Sequence, residues 1–245
     1  MDVLRLYRDN PPLSPDQFQR LEAILERRKK REPLQYILGF VWFYGFKILI
    51  GRGALIPRPE TEILVEEALK RAEKGSEIKI LDLCTGSGAI ALALAKNLPR
   101  ASILATDISA EALAWARKNQ QEYGAENIKF IGGDLFGPVK DATFDLICAN
   151  PPYIKEEKLG SLEPEVICWE PRIALSGGMD GLQFAARIVR EAPVHLEQGG
   201  YLLMELAGGT ETSSLAHAAG EAGLEVEAVV RDLAGWGRVF IARKG

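Results

Sequence analysis

The sequence predicts an α/β fold, a doubly wound and mostly parallel sheet of seven strands with a small helix-and-hairpin part at its N-terminal side. Two observations predict it. From about residue 78 onward, short β-branched or apolar runs alternate with segments of helical periodicity, beginning "IKILDLC", "AIALALAKN", "ASILATD" and "SAEALAWARKNQQEYG". Such alternation means parallel strands with helices on both faces. The first strand also leads into its helix through a glycine-rich turn, "CTGSG", as nucleoside-binding sheets of this kind do. The chain of 245 residues is 47% hydrophobic and 26% charged, ordinary values for one substantial globular core.

The first helix is expected in "SPDQFQRLEAILERRKK". Ser14 can cap it, Pro15 suits the first helical position, and Gln17 completes a capping box. Phe18, Leu21, Ile24 and Leu25 form one apolar stripe. The basic run Arg27 to Arg31 closes the helix. It reads either as a solvated face that complements the helix dipole or as a contact for an acidic or RNA-bearing partner. Aromatic and β-branched density from Phe40 to Ile50 predicts a hairpin turning near Gly45. "IPRPETE" leads into a helix. A division is expected near residue 55, with residues 1–55 a docking part and 56–245 the catalytic domain.

Strands are expected at 78–84 and 101–107 and in "NIKFIGGD", "TFDLICAN", "GYLLMEL", "LEVEAVV" and "RVFIARK". Helices follow at 89–97 and 109–124, the latter with Ser109 as cap and Gly124 at its end. Two more lie in "GLQFAARIVREAPVHL" and "ETSSLAHAAGEAG". Only "RDLAGWG" links the last two strands, too little for a parallel crossover, so at least one of them should run antiparallel.

Net charge is −4, so no global basic field draws the chain to nucleic acid. Cys84, Cys148 and Cys168 are odd in number and widely spaced, which predicts reduced thiols and neither disulfides nor a metal site. The opening "MDVLRLYRDNPPLSP" lacks the apolar stretch of a signal peptide. The most apolar run, "FVWFYGFKILIG", is short and broken by Lys47, too little to span a membrane. A cytoplasmic protein is expected, with a monomer as the default.

The chemistry should gather at the ends of the strands. The turn Cys84, Thr85, Gly86, Ser87, Gly88 lets backbone approach a ligand closely beside helix N–H groups. It lacks the Gly-Lys-Ser/Thr of a phosphate loop, and a purely structural turn is the alternative. Asp107 ends the second strand about 20 residues beyond the glycines, where a carboxylate can bind both ribose hydroxyls. Asp134 and Leu135 end the third, where a purine would sit. Together they describe an adenosine pocket with no phosphate grip. The fourth strand stops at "NPPY", Asn150 to Tyr153. In a doubly wound sheet it lies beside the first, so Asn150 should face the glycine turn.

"NPPY", with "DLCTGSG" and "TDIS" upstream, resembles class I S-adenosylmethionine-dependent methyltransferases that act on an amide or exocyclic amino nitrogen. "EPLQYILG", "FYG", "LIPRPETE", "NPPYI", "EPRIALSGGMDGL" and "RDLAGWGRV" together resemble the release-factor glutamine methyltransferases (the HemK/PrmC family). The resemblance runs over nearly the whole chain from about residue 15. It implies S-adenosylmethionine as cofactor and the glutamine of the Gly-Gly-Gln motif of peptide chain release factors as acceptor. It also implies that the Cys84–Gly88 turn and Asn150 border the cofactor, that Asp107 holds the ribose, and that Asp134 and Leu135 contact the adenine. Asn150, Pro151, Pro152 and Tyr153 would hold the glutamine amide. The family form usually has glycine where this chain has Cys84, and its N-terminal helical domain is usually longer.

Asn150 Oδ1 and the Pro151 carbonyl are expected to accept hydrogen bonds from the substrate NH₂, with Tyr153 stacked on the amide. Proline leaves a carbonyl free and brings no competing N–H. Arg58 reads as a brace, a contact for the cofactor carboxylate, or part of a turn. His195 and His217 fall in helices away from the strand ends and read as structural. The rival readings are an adenine-N6 DNA or RNA methyltransferase, which would need a basic surface, and a nucleoside-binding protein without catalysis.

Overall fold

A computed structural model describes residues 12–72, 77–209 and 212–245. The opening segment read above for a signal peptide lies largely outside these residues, as does Glu211, where the helix before the last strands was expected to begin.

Helix α1 (Pro15–Lys29) begins with the capping box read from the sequence. Ser14 Oγ accepts from Gln17 N at 3.3 Å, and Gln17 Oε1 accepts from Ser14 N at 2.9 Å. Of its apolar stripe, Phe18, Leu21 and Leu25 are exposed, and no described residue of α1 is buried. Among the described residues its basic end makes ion pairs. Arg27 pairs with Glu32, while Arg28 and Arg31 reach Glu165 at 3.1 and 2.7 Å. The basic run therefore has carboxylate partners within its own chain, which neither sequence reading anticipated.

After α2 (Leu34–Leu38), β1 (Phe40–Phe43) and β2 (Phe46–Leu49) form an antiparallel hairpin. Tyr44 and Gly45 make its turn, both with positive φ (47° and 78°). This backbone shape matches the twist of the flanking strands. Phe43 and Ile48 enter the main core beside Leu64 and Val65 of α3 (Thr61–Arg71).

The sheet contains β3 (Lys79–Leu83), β4 (Ser102–Asp107), β5 (Ile128–Gly132), β6 (Phe144–Ala149), β7 (Leu196–Glu205), β8 (Leu224–Arg231) and β9 (Gly237–Lys244). Their spatial order is β5-β4-β3-β6-β7-β9-β8, seven strands as expected. β9 runs antiparallel to both neighbours, as the short last link demanded. Successive residues point to opposite faces. Ile80, Leu146 and Leu203 join one core with α3 and α4 (Ala89–Asn97). Leu81, Ile147 and Leu202 join the other with α7 (Gln183–His195) and α8 (Ser213–Glu221). Helix α4 is buried from Ala89 to Ala95, which its nearly uniform apolar sequence requires. Helix α5 (Ala110–Tyr123) carries Ser109 at its N-cap and Gly124 in the left-handed region at its end, and the short α6 (Pro164–Ile167) precedes α7.

Among the described residues no helix is long and apolar enough to cross a membrane. His195 is buried, its Nδ1 3.0 Å from the Ala142 carbonyl and its ring stacked on Phe136. His217 lies on the exposed side of α8 beside Glu221.

Candidate active site

Register brings four strand ends into one row. Leu83 pairs with Thr106 on one side and Ala149 on the other, and Ala149 pairs with Met204. The next residues along the chain are Cys84, Asp107, Asn150 and Glu205. The sheet order reverses at β3, so this row is the crevice where ligands of doubly wound sheets bind.

The glycine turn is compact and tied down from below. Cys84, Gly86 and Gly88 all have positive φ (57°, 58° and 80°). Thr85 Oγ1 donates to Asp82 Oδ2 at 2.5 Å, and Thr85 N donates to the Thr106 carbonyl at 3.0 Å. Asp82 is fully buried, and burial pushes its carboxyl up to about 7. The Cys84 backbone occupies the region that favours glycine, which explains why a glycine belongs there. Burial drives its thiol well above the ordinary range, so it stays neutral.

Asp107 closes the turn. Its Oδ2 accepts from Gly86 N and its Oδ1 from Ser109 N, both at 2.8 Å. Burial raises its pKa, and these backbone N–H groups oppose the rise. Ser109 still caps α5 through Ala112 N at 3.2 Å. Asp134, on the far wall, is half exposed and pairs with Arg187 of α7 at 2.8 Å. Arg187 stands out in the sequence only as one of many helix cations.

Asn150 Nδ2 donates to Thr61 Oγ1 at 3.2 Å. Tyr153 donates its hydroxyl to Glu205 Oε1 at 3.2 Å. Burial foremost, and then the Glu205 charge, keeps that phenol protonated far above neutral pH. The loop after "NPPY" folds back along it. Ile154 N donates to the Leu175 carbonyl at 2.9 Å and Gly177 N to the Ile154 carbonyl at 2.8 Å. A Cβ on Gly177 would lie 2.7 Å from Tyr153 Cα, and one on Gly181 would lie 2.6 Å from the Tyr153 carbonyl oxygen. The glycines of "SGGMDGL" therefore permit close backbone packing against the motif.

Arg58 is a brace. It pairs with the buried carboxylate of Glu170, whose Oε2 accepts from Ile56 N at 3.0 Å. This ties "IPRPETE" to "EPRIALSGG" across the cleft.

One cleft brings together Cys84, Thr85, Gly86, Ser87, Asp107, Asp134, Leu135, Asn150 and Pro152. Gly88, Pro151 and Tyr153 do not line it. Gly88 caps α4 against Ala116 and Phe130, Pro151 is buried, and Tyr153 packs under the returning loop. The walls also include Leu55, Thr61, Ile90, Ile108, Ile173 and Phe184, apolar or hydroxyl residues to which the sequence reading gave no individual role. A nucleoside without phosphates fits this chemistry. Among the described residues lining the cleft the cation is Arg58, already committed to Glu170. A Cβ on Gly86 would meet only open space, so the turn borders the opening.

Comparison with known proteins agrees. Residues 59–169 match the family described as the methyltransferase small domain, and residues 2–39 match the PrmC N-terminal domain. The release factor glutamine methyltransferase of Thermodesulfovibrio yellowstonii is 44% identical over 246 residues, covering 100% of this chain and 88% of that one. The enzyme of the same name from Geobacter sulfurreducens is 45% identical over 207 residues, covering 84% of this chain and 72% of that one. Among solved structures, a methyltransferase from Pyrococcus furiosus has a TM-score of 0.61 at 21% identity, covering 92% of this chain and 98% of that one. A ribosomal protein L11 methylase from Lactobacillus delbrueckii subsp. bulgaricus has a TM-score of 0.58 at 23% identity, covering 77% of this chain and 81% of that one. Both share the fold. With identity of this extent along its whole length, the chain belongs to the release factor glutamine methyltransferase family.

Proposed function

We propose that this chain methylates the side-chain amide nitrogen of the glutamine in the Gly-Gly-Gln motif of peptide chain release factors, with Asn150 and Pro151 as the groups that hold that amide. S-adenosylmethionine, when bound, supplies an electrophilic methyl on a sulfonium. The Cys84–Gly88 turn and Asp107 hold its ribosyl part, and Asp134 and Leu135 hold the adenine.

The acceptor nitrogen is a poor nucleophile because its lone pair is delocalised into the carbonyl. Asn150 Oδ1 and the Pro151 carbonyl accept hydrogen bonds from the NH₂ group, draw electron density onto nitrogen and orient it. Tyr153 fences the planar amide. Holding the nitrogen in line supplies much of the acceleration, and no strong base is needed before transfer. The observation that carries this reading is the Asn150–Thr61 hydrogen bond. It occupies the Nδ2 side of Asn150 and leaves Oδ1 as the atom offered to a substrate. The enzyme works in the cytoplasm as a monomer, with residues 1–55 as its docking part for the factor.

The test is methyl transfer from labelled S-adenosylmethionine to purified release factor, to its Gln→Ala variant in the Gly-Gly-Gln loop, and to duplex DNA. Label on the wild-type factor alone is expected. Label on DNA would overturn the acceptor while leaving the cofactor cleft intact.

A further inference from the structure

Two aspartates follow strands into the cofactor cleft, and they are held in different ways. Asp107 is fixed by main chain, accepting from Gly86 N and Ser109 N at 2.8 Å each. Asp134 is held by a side chain from another element. Arg187, 53 positions further along the chain, reaches it with both terminal nitrogens. Nη2 donates to Oδ2 at 2.8 Å and Nη1 to Oδ1 at 3.4 Å. A two-pronged contact of this kind fixes the plane of a carboxylate as well as its position.

Asp134 lines the cleft, and it also lines a second, open groove together with Gly133, Pro138, Arg187 and Glu191. Arg187 lines the groove and not the cleft, so it grips Asp134 without standing in the cofactor's place. Three positions earlier on α7, Phe184 does line the cleft. Residues at that spacing share a helix face. The same stretch of α7 therefore supplies a wall for the base and a brace for Asp134. Backbone contacts set the rest of this corner. Gly133 N donates to the Asp107 carbonyl at 3.0 Å and Gly137 N to the Asp134 carbonyl at 2.9 Å. Buried Leu135 takes a φ of 45°, a region that bulky residues rarely occupy. With the main chain set, the half-exposed Asp134 carboxylate is the part that Arg187 keeps from turning.

An ionised carboxylate only accepts hydrogen bonds, and its two oxygens have lone pairs to spare beyond a single fork. A 6-amino purine presents an NH₂ donor at its edge, whereas a 6-oxo purine presents an acceptor oxygen there with an N1–H donor beside it. A carboxylate free to swing can reach that N1–H. One held in a fork meets oxygen with oxygen.

We propose that Arg187 is a specificity-determining positioning residue: by fixing the Asp134 carboxylate in one plane, it makes the cleft select a cofactor with a 6-amino purine over its 6-oxo counterpart. The inference rests on the reading given above that Asp134 and Leu135 hold the adenine. An ion pair this exposed contributes little to folding, so its loss should register in selectivity and leave Tm unchanged.

The experiment measures Kd by calorimetry on the full chain for S-adenosylhomocysteine and for its deaminated analogue, S-inosylhomocysteine. It compares the wild type with Arg187→Met, Arg187→Lys and Asp134→Ala, and records Tm for each. The wild type should prefer the adenine form by about 10–10²-fold, the range for a hydrogen bond to a charged group. In Arg187→Met the adenine form should bind about 3–10-fold more weakly, the cost of ordering a released side chain on binding. The 6-oxo form should bind as before or better, so the preference narrows. Arg187→Lys keeps the charge but loses the fork, and its preference should be narrowed as well.

An unchanged preference in Arg187→Met, or equal weakening of both ligands, would overturn the inference. A full wild-type preference in Arg187→Lys would also overturn it, since charge and not a fixed plane would then suffice. Asp134→Ala separates the two levels. If it keeps the wild-type preference, the reading of Asp134 as the base contact fails. If it loses the preference while Arg187→Met keeps it, that reading stands and the role of Arg187 alone falls.

Discussion

Arg58 and Glu170, 112 positions apart in sequence, form an ion pair that anchors the cleft-lining Arg58 to a buried carboxylate. The Glu170 side chain is 1% exposed and that of Arg58 31%. Glu170 also carries the Ile56 N–H, so its removal strands two groups at once. Glu170→Ala should destabilise by about 3 kcal/mol, the low end for breaking a buried pair, because Arg58 retains some water. Thermal or urea unfolding checks this. The loss of cleft shape should appear as weaker cofactor binding in the folded fraction.

For Asn150→Ala the expectation is the reverse, a fold that survives and a reaction that does not. Removing an oriented polar group that acts in the transition state costs about 3–4 kcal/mol, a fall of about 10²–10³-fold in kcat. Asn150 touches the cleft from its own strand end, so cofactor Kd should change little. Single-turnover methyl transfer and calorimetry separate the two quantities.

Cys84 holds a left-handed backbone (φ 57°) in the cofactor turn. For a residue with a Cβ this conformation costs about 1–2 kcal/mol. Glycine relieves that strain but adds about 0.5–1 kcal/mol of unfolded-state entropy. Cys84→Gly should therefore leave Tm close to that of the wild type or slightly raise it, while Cys84→Val, β-branched in the same conformation, should lower it clearly. Paired melting curves decide this. A large loss in Cys84→Gly would mean that the cysteine side chain, not the backbone, governs the turn.

Glu205 links stability to pH. Its folded pKa, about 6, lies above the ordinary 4.5. The folded state therefore binds that proton more tightly than the unfolded chain does. The contribution is fully present below about pH 4.5 and is lost as pH rises through about 6. A shift of this size is worth about 2 kcal/mol. Glu205→Leu cannot titrate, so the stability of wild type relative to this variant should fall between pH 4.5 and pH 7. Urea unfolding at the two pH values measures the difference. A constant gap would refute the shifted pKa.

Much of the fold was legible because its signals are local. The capping box of α1, the Ser109 cap, the Gly124 terminus and the alternation of strands and helices each reside within a few neighbouring residues. The glycine turn, Asp107, Asp134 and "NPPY" were legible as chemistry because each ends a strand. Thr61, Arg187, Glu170 and Glu205 were not singled out. A threonine at the start of a helix, or a glutamate at the end of an apolar strand, carries no distinguishing spacing. Each gains its role from a partner 50 or more positions away. The basic run of α1 was open to two readings for the same reason, since its carboxylate partners Glu163 and Glu165 lie far along the chain.

The sequence by itself determined the order of strands and helices, the cofactor turn, and the acceptor motif with its family. Those depend on periodicity, on residue types with special backbone freedom, and on motifs contiguous in the chain. Only the tertiary structure decided which way Asn150 faces, what occupies Arg58, and why Gly177 must be glycine. Those depend on helix packing and loop return, which place Asn150 against Thr61, Arg58 against Glu170, and Gly177 against the backbone of Tyr153.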